Sequence, residues 1–149
     1  MSFVYLVAVI AACAGLLFGY DTGAISGAIL FVRAEFRLSP ASVGIVTSVA
    51  LAGATLGSVA GGWLADRFGR RHIIIVTALL FAGGSVLSAL AASVDWLIAS
   101  RIIIGIATGI ASFVAPMYLS EIAPPSVRGS LVALNQLAVT VGILERKPS

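Results

Sequence analysis

Cysteine occurs once, at Cys13, and histidine once, at His72. A single cysteine leaves no partner for an internal disulfide, and neither residue type comes at the clustered spacing that metal ligation needs. No metal or other cofactor is expected. Charge is scarce as well: Asp, Glu, Lys and Arg occupy 10% of the 149 positions. The formal net charge of +3 is not a nucleic-acid signature, because the basic residues are scattered or sit at helix ends and form no stripe interleaved with aromatics. No nucleophile and base pair up, and Gly61-Gly62 lacks the Lys-Ser/Thr that completes a phosphate-binding loop. The chain does not read as an enzyme. Its opening residues carry no basic stretch and no small-residue cleavage site, so the first segment reads as retained and not as a signal peptide.

What the chain has in abundance is apolar side chain, 60% of the residues with a mean hydropathy of +1.12. A soluble fold of this length has too little interior to hide it. The expected solvent is lipid, and the expected fold class is an all-α membrane protein. The organising stretch is residues 61–71, Gly-Gly-Trp-Leu-Ala-Asp-Arg-Phe-Gly-Arg-Arg, a charged island between two apolar runs, Ser42 to Leu64 and Ile73 to Ala92. Each run can cross a bilayer, so the island reads as a tight turn at a membrane surface. Its three arginines place it in the cytoplasm by the positive-inside rule.

Five helices are expected, over about 3–32, 40–64, 71–92, 96–118 and 129–144. The first exceeds the roughly 20 residues of a perpendicular span, so tilt or a break is expected. Gly19, Gly23 and Gly27 in the first helix and Gly53, Gly57 and Gly61 in the second recur every four residues, giving faces on which a neighbouring helix can approach closely. Ser39 reads as an N-cap, with Pro40 in the first turn. The fifth apolar run is polar at Asn135, Gln136 and Thr140 and stops in a charged tail, 145–149. With the N-terminus cytoplasmic, the inner connections hold Arg67, Arg70, Arg71 and Arg128, against Arg33 and Arg37 outside. Arg146 and Lys147 of the tail would fall outside and erase that bias.

Two ionisable residues lie well inside apolar helices, Asp21 and Arg101. Counting from the expected outer ends, Asp21 is about 16 Å deep and Arg101 about 8 Å deep. Both fall in the outer half, and a long arginine covers much of the difference in depth. A charge at the bilayer centre costs about 2.5–3.5 kcal/mol on insertion scales, so such residues face a wet cavity or pair. Interaction of Asp21 with Arg101, weakened when Asp21 is protonated, is one expectation; a permanent ion pair that only fixes packing is the other.

Four pieces of the sequence carry a family resemblance over about residues 13–144. They are Gly15-Leu-Leu-Phe-Gly-Tyr-Asp-Thr-Gly-Ala-Ile-Ser-Gly27, Gly62-Trp-Leu-Ala-Asp-Arg-Phe-Gly-Arg-Arg71, Arg101 with Gly105 and Gly109, and Pro116-Met-Tyr-Leu-Ser-Glu121 continuing to Arg128-Gly129. Together they resemble the sugar porters of the major facilitator superfamily. The resemblance implies a proton-coupled monosaccharide symporter working by alternating access in the cytoplasmic membrane, multi-pass, with sugar, protons and the lipid bilayer as partners and no nucleic acid. It implies that Asp21 is the proton-coupling carboxylate and Arg101 its partner, and that Gln136 and Phe18 line the sugar site. It implies a cytoplasmic gate from Gly62, Asp66, Arg67, Gly69, Arg70 and Arg71 with Glu121 and Arg128. The family has twelve helices in two six-helix halves. Residues 1–149 are therefore expected to form a partial major facilitator fold, a truncated N-terminal half with about five helices. Two alternatives stand beside symport: a non-transporting fragment that packs on other transporter helices, such as a missing second half, through its glycine faces, and a proton-independent facilitator.

Overall fold

The computed structural model describes residues 2–144. The charged tail, 145–149, lies outside the described residues. Every regular element among those described is an α-helix: α1 (Ser2–Glu35), α2 (Pro40–Phe68), α3 (Arg70–Ala89), α4 (Val94–Ile122) and α5 (Arg128–Leu144). The first four are long and apolar enough to cross a membrane, while α5, with 17 residues, is shorter. Large apolar side chains stand exposed along all of them, among them Phe31, Leu51, Val59, Leu79 and Leu137. In water such a surface would drive aggregation; in lipid it is solvated.

The hydroxyl residues inside these helices do not break that surface. Thr22 donates to the Phe18 carbonyl (3.0 Å), Thr77 to Ile73 (2.7 Å), Ser85 to Phe81 (2.8 Å) and Thr140 to Gln136 (3.0 Å). Each hydroxyl is satisfied one turn back in its own helix, which removes most of its cost in a hydrocarbon medium.

The chain forms two compact units. The described residues up to Phe31 and from Ala115 onward make one unit, and in it α1 lies against α5 with almost no side chain between them. A Cβ at Gly15 would sit 2.6 Å from Asn135 Oδ1; one at Gly19 would collide with the Val139 carbonyl, and one at Gly142 with the Leu16 carbonyl. Gly15, Gly19 and Gly23 of α1 therefore serve close packing, and α1 runs unbroken for 34 residues. At 1.5 Å per residue that is about 50 Å, well beyond the hydrocarbon thickness, so the helix tilts or emerges from it. Ala8, Leu119, Ala123 and Leu131 close the core of this unit, with Val4, Val7 and Val132 around them.

In the unit of residues 32–114, α2 and α4 interlock through glycines from both sides. Gly57 abuts the Ile106 carbonyl, Gly105 the Ala50 carbonyl and Gly109 the Ala54 carbonyl, while Gly61 abuts Ile110. The stripes that could have served as external docking faces, Gly53, Gly57, Gly61 and Gly105, Gly109, are thus occupied within the chain. Helix α3 joins them at Gly84, where a Cβ would lie 2.7 Å from Ile104 Cγ1. Ala65, Ile73, Ile110 and Val114 form the core.

Helix ends depart from expectation in instructive ways. The charged island is not a loop. Trp63-Leu-Ala-Asp-Arg-Phe contains no helix breaker, and α2 continues through Phe68. The turn is the single residue Gly69, at φ 86° and ψ 139°, a conformation closed to side-chain-bearing residues without strain. Its N–H closes α2 on the Ala65 carbonyl, and its carbonyl opens α3 by accepting from the Ile73 N–H. At the other end α3 stops at Ala89, short of the expected 92, and α4 begins early because Ser93 caps it, accepting from the Trp96 N–H at 3.4 Å. Pro116 does not end α4 near Tyr118; the helix runs on to Ile122, and Pro124-Pro125 make the stop.

Candidate functional site

Charged side chains gather at the α2–α3 junction. Asp66 and Arg70 flank Gly69 and meet at 3.6 Å as an i, i+4 pair. Asp66 is 69% exposed, so the pair is worth only about 0.3–0.5 kcal/mol and opens readily. Arg67 lies over two rings, 5.5 Å from the Trp63 centroid and 5.9 Å from that of Phe68. Arg71 is exposed. At Gly62 a Cβ would lie 3.1 Å from Phe113 Cε1 of α4, a tight contact that a small movement of the ring relieves. The six motif residues thus divide into two kinds. Gly62 and Gly69 set the approach and the turn; Asp66, Arg67, Arg70 and Arg71 present breakable charge.

A second charged group marks the α4–α5 connection. Arg128 opens α5 and donates through Nη2 to the Ala123 carbonyl at 3.5 Å, just past the C-terminal end of α4. A guanidinium there answers the partial negative charge of a helix C-terminus. Glu121 is exposed in the last turn of α4. Among the gate residues, then, the structure joins Asp66 to Arg70 and Arg67 to its neighbouring rings, and places Glu121 and Arg128 in the other compact unit.

Of the two intramembrane charges, Asp21 is half-buried near the middle of α1. Arg101, eighth residue of α4, is buried at 8% exposure between Leu97 and Ile104 on its own helix. Its Nη2 donates to the Ser88 hydroxyl of α3 at 3.4 Å. The two charges belong to different units. The sugar-site candidates share one unit: Phe18 is half-buried on α1, and Gln136 is exposed on α5, one residue after the Asn135 that packs on Gly15.

Sequence reasoning missed Ser88 and undervalued Asn135. Ser88 looks like one more small residue in an apolar run, and only the α3–α4 pairing brings it to Arg101. Asn135 could have been found by matching the glycine spacing of α1 to a small polar residue on a partner helix.

A family model described as "Sugar (and other) transporter" matches residues 7–145. The chain is 46% identical over 140 residues to the galactose-proton symporter of Escherichia coli K12, covering 94% of this chain and 30% of that protein. It is 48% identical over 138 residues to the arabinose-proton symporter of the same strain, covering 93% of this chain and 29% of the relative. Its fold is similar to that of the xylose transporter XylE from E. coli in an inward-open conformation, with a TM-score of 0.81 and 35% identity over 95% of this chain and 38% of that one. The XylE structure bound to 6-bromo-6-deoxy-D-glucose is similar at a TM-score of 0.86, covering 97% and 36%. The chain thus spans about 30% of the length of the curated relatives it matches. Four apolar spans and these relatives make it a multi-pass membrane protein.

Proposed function

Because this chain belongs to the sugar transporter family, we propose that it contributes to monosaccharide:proton symport by alternating access, as part of a longer pathway of the length its relatives have. The observation that carries the reading is Asp21, a carboxylate half-buried in the middle of a 34-residue apolar helix. Intramembrane carboxylates mark proton or substrate routes, and a facilitator that moves sugar alone needs no titratable group at that depth. In this reading Asp21 takes and releases the proton, with Arg101 as its charge partner. Gln136, an amide with both donor and acceptor atoms, contacts sugar hydroxyls, and Phe18 stacks against the ring. The helices sit in the cytoplasmic membrane with the N-terminus inside.

The cytoplasmic gate follows from the same chemistry. Asp66, Arg67, Arg70 and Arg71, with Glu121 and Arg128, are carboxylates and guanidiniums at helix ends. Their charge-assisted hydrogen bonds are strong when dry and easily exchanged when wet, which suits a latch. Gly69 makes the α2–α3 turn in a single residue, and Gly62 leaves room beside it for Phe113 of α4. The alternative of a fragment whose glycine faces dock on foreign helices has lost its main surface, since those glycines pack against the facing helix inside the chain. The relatives' names describe transporters, and no enzymatic role is proposed.

The test is uptake of labelled galactose, arabinose, xylose and glucose into vesicles, with and without an inward proton gradient. The chain is assayed alone and joined to the remaining length of the galactose-proton symporter. Gradient-dependent uptake of a sugar by the completed protein, lost in Asp21→Asn, is the expected result. Equal uptake without a gradient would favour the facilitator reading.

A further inference from the structure

The proton-coupling reading leaves a physical difficulty at Arg101. A guanidinium stays charged at any pH a cell meets. If Asp21 is its partner and then accepts a proton, a buried cation must keep its place after its counter-charge is neutralised. Removing one member of a buried pair is strongly destabilising when nothing else serves the other. The structure offers a second acceptor. Ser88 stands one residue before the end of α3, and Arg101 lies in the early part of α4, so the α3–α4 hairpin brings them level. Arg101 Nη2 donates to Ser88 Oγ at 3.4 Å. The same place receives the C-terminal end of α3, whose last carbonyls carry partial negative charge, with Leu90 and Ala91 N–H groups satisfying those of Val86 and Ser88.

Resting on that reading, we propose that Ser88 is a positioning residue for Arg101: its hydroxyl, at the C-terminal end of α3, holds the guanidinium in place through the step in which the carboxylate is neutral. A neutral acceptor suits the task better than an acid. It steadies the cation without cancelling its charge, so Arg101 remains able to attract Asp21 when the proton leaves.

Two measurements test this, and they separate the hold from the coupling. In the chain joined to the remaining length of the galactose-proton symporter, Ser88→Ala should lower gradient-driven sugar accumulation about tenfold, the worth of one hydrogen bond to a charged group. Sugar counterflow at equal pH, which needs no net proton movement, should stay within about twofold, and Ser88→Thr should restore accumulation because it keeps the hydroxyl. A purely structural Ser88 would lower both activities together, and unchanged accumulation in Ser88→Ala would equally overturn the proposal. The second measurement is hydrogen exchange of the Arg101 guanidinium protons by NMR on this chain in lipid nanodiscs. Exchange should be about tenfold faster in Ser88→Ala and unchanged in Ser88→Thr. Identical exchange in all three overturns the hold even if symport is real. Lack of any gradient-driven uptake by the unsubstituted protein would instead remove the symport reading, and with it the coupling role of Ser88.

Discussion

Asp21 and Arg101 carry most of the functional argument, and they do so because lipid makes ionisable residues costly. At about 2.5–3.5 kcal/mol each on insertion scales, neither belongs in an apolar helix without a use or a partner. Both were visible as charges in apolar runs, but the contact of Arg101 with Ser88 was not, because no periodicity along one helix encodes which residue of another helix it will meet. Replacing Asp21 by Asn keeps the size and removes the titration. The expected outcome is normal membrane insertion with gradient-driven uptake reduced at least about tenfold, the change in rate that a 1.4 kcal/mol loss gives. Uptake in vesicles, with the amount of inserted protein measured in parallel, checks it.

Single elements were legible to the extent that apolar length decides them. The four spans follow from runs that exceed bilayer thickness, and the Ser39 cap, which accepts from the Ser42 N–H at 3.2 Å, follows from Ser-Pro at a helix start. Ends without a breaker were not legible. Residues 65–68 and 119–122 continue their helices because polar and charged side chains are acceptable at a membrane surface, so hydropathy falls before the backbone turns. Glycine roles were half legible. Four-residue spacing shows that a close approach exists, but not which helix makes it. The contrast between Gly109, whose Cβ would strike the Ala54 carbonyl, and Gly83, which has open space around it, gives a direct test. Gly109→Val should destabilise the helix assembly by about 1–3 kcal/mol or more, the usual cost of overpacking. Gly83→Val should change it little. Thermal unfolding of the two variants in one detergent would show the difference, and equal melting would contradict the α2–α4 interlock. At the α3–α4 turn, Ser93→Ala should cost about 1 kcal/mol through the lost cap on Trp96, read in the same way.

For the whole molecule, the decisive property is orientation. The α2–α3 junction concentrates Arg67, Arg70 and Arg71 within one short surface segment, and the proposed orientation, argued from the positive-inside rule, has that junction facing the cytoplasm. With Cys13 replaced by Ala, a cysteine introduced in place of Arg71 should react with an impermeant thiol reagent only in inside-out vesicles. One in place of Arg37 should react only in right-side-out vesicles. The reverse pattern would move the proposed gate to the outer surface and remove its rationale. The extent of the molecule matters as much: relatives of about three times this length carry the names of proton symporters, so activity is expected of the completed protein.

The central claim is that sugar and protons move together through a pathway containing Asp21. The most direct measurement is the external pH of a lightly buffered suspension of right-side-out vesicles holding the completed protein, recorded as sugar is added. Symport predicts prompt alkalinisation on adding the transported sugar, absent with Asp21→Asn and absent when a proton ionophore has collapsed the gradient. Sugar entry with no pH change in the unsubstituted protein would contradict the account and leave Asp21 as a packing residue.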